Sequence, residues 1–139
     1  MTRLEALFVH LANLLVGGTG LAYAWYRYFA APIGEFSVVH PGQPVAQHLH
    51  VLAAPLLVFA VGLLWRTHVW LGIRLGSGAH RRSGILLAAL AAPMIASGYL
   101  LQIAVEPGWR TAWIGTHVAA SLLWIAGTLA HQLSRRPQG

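Results

Sequence analysis

Four stretches of this chain are long and apolar enough to cross a lipid bilayer, and no other feature restricts its fold as strongly. They cover about 4–29, 46–66, 83–105 and 110–133. Crossing the hydrocarbon layer takes about 20 apolar residues in a helix. The predicted fold is therefore all-α: an integral membrane four-helix bundle, a single transmembrane domain over residues 1–139. Composition agrees, since only 9% of the residues are charged, against about 25% in soluble domains. The first stretch has a rival reading as a cleavable signal peptide, because Ala22, Tyr23 and Ala24 fit a small-x-small cleavage pattern. We expect it to be retained, because His10 and Asn13 are out of place in a signal's apolar core.

Charge sets the expected direction of the spans. The net charge of +6 comes from nine arginines and three glutamates, with no lysine. Arg3, Arg66, Arg74, Arg81, Arg82, Arg135 and Arg136, seven of the nine, fall at one end of the spans. Basic residues mark the cytoplasmic side, so both termini are predicted to be cytoplasmic. The opposite side has Arg27 and Arg110, balanced by Glu35 and Glu106. Arginines that flank apolar runs argue for membrane orientation rather than for nucleic acid, and no nucleic-acid partner is expected. There is no cysteine, which excludes thiolate metal sites, iron–sulfur ligation and covalent haem attachment.

The connections differ in kind. Residues 27–47 form a proline-bearing outer loop, and residues 67–84 an inner loop with a short apolar piece. The Pro-Gly pair at 107–108 is predicted to make a tight turn that leaves the third and fourth helices antiparallel. No internal repeat is evident.

Eight histidines punctuate the chain. His40 and His80 lie in loops and read as solvated. The other six lie in or at the ends of spans, where an ionisable group is costly and is a functional candidate by default. Depth sorts them. His50, near the outer start of the second helix, shares a level with His117 in the fourth. His10, near the inner start of the first helix, shares a level with His131. Fourteen residues separate His117 from His131, a rise of about 21 Å with a rotation of only about 40°. Both imidazoles thus point to one side of the helix. That is the spacing for two stacked haems, each gripped by histidines from opposing helices. His48 is a competitor of His50, but two residues turn it by about 200°, so it reads as rim. His68 lies five turns beyond His50 beside Arg66. It could replace His10 as a ligand, serve a quinone site, or sit at the headgroups, and the headgroup reading is preferred.

Small residues accompany these histidines, as a flat macrocycle requires. His10 shares a stripe with Asn13, Gly17, Gly20 and Ala24. Ala53 and Ala54 follow His50, Ala120 and Ser121 follow His117, and Gly127 precedes His131. The third helix has no histidine but carries Ser97 and Gly98. Small residues also serve plain helix packing in membranes, so they add weight only beside the matched histidine levels.

With these residues in view, the chain resembles the four-helix cytochrome b subunits of membrane-bound formate dehydrogenases and nickel–iron hydrogenases. The segment "HVAASLLWIAGTLAH" carries the fourth-helix pair, "FVHLAN" matches the first-helix ligand at His10, and "QHLHVLAAPLLVF" the second-helix ligand at His50. The formate dehydrogenase subunits typically have proline directly after the second-helix histidine. Here Val51 stands there, with Pro55 further on. The resemblance implies two haem b groups, the outer held by His50 and His117 and the inner by His10 and His131. It implies an electron-transfer subunit of an oxidoreductase complex in a bacterial-type inner membrane, working between a separate redox protein and quinone. The quinone would lie near His10, Asn13 and His131, with Arg66 or His68 nearby. Arg27 and Arg110 on the outer side, and Arg3, Arg81 or Arg135 on the inner, are candidate partners for haem propionates. Two alternatives stand beside this reading: a haem-free four-helix transport or assembly subunit, and a cytochrome with one haem at His50 and His117.

Overall fold

The computed structural model describes residues 2–34, 36–75 and 78–133. Glu35, Arg135 and Arg136 lie outside the described residues, as does the side chain of His80. Every regular element among the described residues is helical: α1 (Arg3–Tyr28), α2 (Gly42–Leu64), a π-helical turn (Trp65–Trp70), α3 (Leu71–Leu75), α4 (Gly78–Ile103) and α5 (Pro107–Leu133). Four of these helices are apolar and long enough to cross a membrane, the shortest spanning segments being 23 residues. At 1.5 Å per residue that is about 35 Å, more than the hydrocarbon thickness.

The helix starts are written in local chemistry. Thr2 and Glu5 form a capping box on α1: the Glu5 N–H donates to Thr2 Oγ1 at 3.2 Å, and the Thr2 N–H to Glu5 Oε2 at 2.7 Å. α2 begins at Gly42, earlier than the predicted start at residue 46. His40 explains the extra turn. Its Nδ1 accepts from the Gly42 N–H at 3.0 Å, its carbonyl accepts from the Gln43 N–H at 2.9 Å, and its ring stacks on Tyr26. His40 is thus a half-buried structural residue rather than a solvated one.

The Pro-Gly pair behaves differently from the expected turn. Pro107 is the first residue of α5, a position where its missing N–H loses nothing. The Glu106 carboxylate accepts from the Gly108 and Trp109 N–H groups at 2.9 and 2.7 Å, and these two bonds hold its pKa below the ordinary carboxylate value. Arg110 donates to the carbonyls of Leu101 and Ala104, which closes the end of α4. The expected inner loop is mostly helical, taken up by the π-helical turn, α3 and the start of α4.

The chain divides into two compact units, residues 1–64 and 65–139. In the first, α1 and α2 pack antiparallel: Tyr26 meets His40 near the loop, and Phe8 meets Phe59 at the far end with ring centres 5.9 Å apart. In the second, α4 and α5 do the same, with Leu87 against Gly127 far from their connection. The buried residues are mostly small, including Ala12, Ala46, Ala53, Ala60, Ala91 and Ala120. Large side chains such as Leu14, Leu52 and Leu122 face outward. That is the expected sorting when lipid, not water, is the solvent, since small residues let backbones approach and leucine loses nothing by facing acyl chains.

Candidate functional site

Within the first unit, His50 is held by α1. Its Nδ1 lies 3.0 Å from the Val16 carbonyl and 3.3 Å from Thr19 Oγ1. The Thr19 hydroxyl already donates along its own helix, to the Leu15 carbonyl at 2.7 Å. Both groups facing Nδ1 are therefore acceptors, and the imidazole must carry its proton there. A neutral ring protonated at Nδ1 has its lone pair at Nε2, the atom that binds a metal. Gly20 completes the arrangement. A Cβ at residue 20 would stand 2.9 Å from the His50 Cε1 carbon, so only glycine lets the ring lie against the helix. The glycine also uncovers the Val16 carbonyl, because helical side chains tilt back over the preceding turn.

The second unit repeats this nest. His117 Nδ1 lies 3.0 Å from the Met94 carbonyl and 3.2 Å from Ser97 Oγ. Ser97 donates to the Pro93 carbonyl, and it is almost fully buried. A Cβ at Gly98 would meet the His117 Cε1 at 3.1 Å. In both units, a carbonyl, a hydroxyl three residues later and a glycine four residues later receive a histidine from the next long helix. Both histidines are followed by a valine and, three residues on, by a buried alanine, Ala53 or Ala120. The internal repeat that sequence inspection did not find is thus present in three dimensions. Its written signal is thin: the dipeptides Thr19-Gly20 and Ser97-Gly98, with His-Val at 50–51 and 117–118.

A different cluster forms at the other end of the second unit. His131 Nδ1 lies 2.8 Å from Ser83 Oγ on α4. His68, carried by the π-helical turn, has its ring centre 6.3 Å from that of His131, at an interplanar angle of 86°. Both imidazoles are half-buried. The wider turn takes His68 off the regular α-helical count that places it five turns beyond His50. Arg74 braces this segment, its guanidinium 4.7 Å from the centre of the Trp70 ring.

His10 is exposed on α1, and Gly17 is half-buried. Asn13 donates to the Val9 carbonyl of its own helix at 2.9 Å. His48 is exposed on α2. Arg110 is engaged with α4 carbonyls. Four residues were not singled out as partners of the histidines from sequence: Val16, Thr19, Ser83 and Met94. Two of these act through backbone carbonyls, which carry no residue-type signature.

The donor set decides which metal species the residues suit. Among the described residues, no three or more of histidine, cysteine, aspartate and glutamate gather as a bare ion would need. A haem brings four nitrogens of its own and asks the protein for two imidazoles, which neutral rings of fixed tautomer can supply. No protein-family model, curated protein or solved structure matches the chain significantly.

Proposed function

We propose that this protein is a b-type membrane cytochrome that moves electrons between a partner redox protein and quinone. The observation that carries the reading is the twin nest. Two histidines, His50 and His117, are each pinned through Nδ1 to a helix carbonyl and a hydroxyl, so that each directs its basic nitrogen away from the helix that holds it. Polar glue between helices asks for any hydrogen bond. It does not ask for the same tautomer, the same glycine and the same spacing twice.

On this reading the four spans form one bundle with both termini cytoplasmic, as the arginine asymmetry implies. His50 and His117 are the axial ligands of one haem, at matched depth in their helices. His131 is a ligand of a second haem, with His10 its partner by resemblance to the formate dehydrogenase and hydrogenase subunits. A haem held by two imidazoles supplies one-electron redox chemistry without an open position for substrate. Quinone would be met near His131 and Asn13, and the redox partner at one of the loop surfaces of a bacterial-type inner membrane. The one-haem alternative keeps His50 and His117 as ligands and leaves His10 and His131 structural.

Haem content and the reduced absorption spectrum of the purified protein test the reading. Two b haems per chain with sharp reduced α bands are expected, and a folded protein without haem refutes it. His131→Ala is expected to remove one haem and keep the one at His50 and His117.

A further inference from the structure

We propose that the segment 65–82 is a binding surface for the headgroup of an anionic phospholipid. The proposal needs the membrane spans but not the haems. Arg66, Arg74, Arg81 and Arg82 lie within this segment, and all are exposed. The fold gathers them at one end of the second unit. His68 on the π-helical turn, Ser83 on α4 and His131 on α5 meet there. Arg66 is two residues from His68, and Arg82 is next to Ser83. α3, which carries Arg74, runs between the turn and α4. Charge at this end is unbalanced. From residue 65 onward the chain has a single carboxylate side chain, Glu106, and it caps α5 at the opposite end of the hairpin. α4 also opens against the local rule, with no acidic residue in its first turn and with Arg81 and Arg82 at its start. A helix N-terminus favours anions and disfavours cations, so this end calls for a negative group from outside the unit.

The neighbours of these arginines select a lipid over an acidic protein. Trp65, Trp70, Leu71 and Leu75 are interleaved with them, and all four are exposed. Indole rings sit at the headgroup level of a bilayer, and leucines beside them meet acyl chains. Apolar and aromatic side chains combined with arginine are the mark of a segment that lies in the interface. Arg74 is held there, its guanidinium 4.7 Å from the centre of the Trp70 ring. Paired N–H groups are the ordinary way in which a guanidinium binds phosphate. Four or more basic residues just beyond a span attract anionic headgroups. An acidic soluble protein would answer the charge but leave Leu71 and Leu75 against water.

The test uses the full-length protein in detergent, with bound lipid counted by native mass spectrometry and stability followed by thermal unfolding. Phosphatidylglycerol is expected to bind and to raise the unfolding temperature. Phosphatidylcholine with the same acyl chains, which carries no net charge, should bind more weakly and stabilise less. Arg66→Gln, Arg74→Gln and Arg82→Gln should each weaken phosphatidylglycerol binding roughly fivefold. The lysine variants at these positions keep the charge and should keep most of the binding, which separates lost charge from misfolding. Arg110→Gln, at the opposite end of the hairpin, should leave it unchanged. Added salt should weaken it. Equal binding of the two lipids overturns the proposal, as does phosphatidylglycerol binding that none of the three glutamine variants alters. So does displacement of the lipid by an equal concentration of inorganic phosphate, which would mark a site for the free anion. Displacement by polyglutamate would mark a site for an acidic protein and overturns it equally.

Discussion

The two long hairpins solve the same problem with different residues. α1 offers Val16, Thr19 and Gly20 to His50, and α4 offers Met94, Ser97 and Gly98 to His117. The backbone carbonyl, the hydroxyl and the missing Cβ are shared, while every side chain except glycine differs. What is held constant is therefore an acceptor pair at Nδ1 and room for a flat ring. Away from the nests the hairpins part company. Beyond the nest, the second unit brings His68 and His131 together with Ser83 at His131 Nδ1, whereas in the first His10 and His48 are exposed on their helices. The difference teaches that a histidine in a span becomes a candidate ligand through what holds its second nitrogen, not through its depth alone.

The comparison breaks most sharply at the glycines. Gly20→Val and Gly98→Val each place a side chain where an imidazole lies. Both are expected to abolish binding of the same haem, measured as haem per chain. Gly18→Val and Gly84→Val, on the same two helices where an added Cβ meets nothing within 4 Å, should keep full haem content. If the two nest variants remove different haems, the nests are not equivalent and the pairing of His50 with His117 falls.

A smaller effect separates hydroxyl from carbonyl. Thr19→Val and Ser97→Ala remove one acceptor from each Nδ1–H, a bond of about 0.5–1.5 kcal/mol. A less strongly engaged imidazole is a weaker base toward iron. Both variants should therefore retain haem and raise the potential of the same haem, with the double variant shifting it further. Opposite shifts in redox titration would show that the hydroxyls serve the helices rather than the ligands.

The smallest expected effect compares the helix starts. Glu106 caps α5 through two backbone N–H groups that lower its pKa, so it stabilises the folded state fully above its unfolded pKa. That contribution fades as the pH falls through the lowered folded value. Thermal unfolding of wild type and Glu106→Gln in detergent should differ modestly at neutral pH and converge in acid. A gap that persists below the carboxylate range contradicts this account of the cap.

Much of the architecture was open to reading from the residues. Twenty-odd apolar residues between charged or proline-bearing segments admit little but a spanning helix, and all four appeared with ends displaced by only a few residues. The displaced ends have local causes: the His40 ring at the start of α2 and the Glu106 carboxylate at the start of α5. Both are side-chain caps outside the predicted helices, which hydropathy does not register. The π-helical turn was hidden for a related reason. Trp65–Trp70 is as compatible with α-helix as its neighbours, and nothing in residue type announces a change of pitch.

The sequence by itself determined the four spans, the asymmetry of its arginines and the short catalogue of histidines able to serve a membrane cofactor. Those are properties of composition along one dimension, where hydrophobic length and charge decide. Tertiary structure alone decided which nitrogen of His50 and of His117 carries the proton, that two unlike helices build the same nest, and that His68 stands beside His131. The physical reason is that these outcomes depend on backbone carbonyls and on the absence of a Cβ at a helix crossing. Every residue carries the first, and only a neighbouring helix gives meaning to the second.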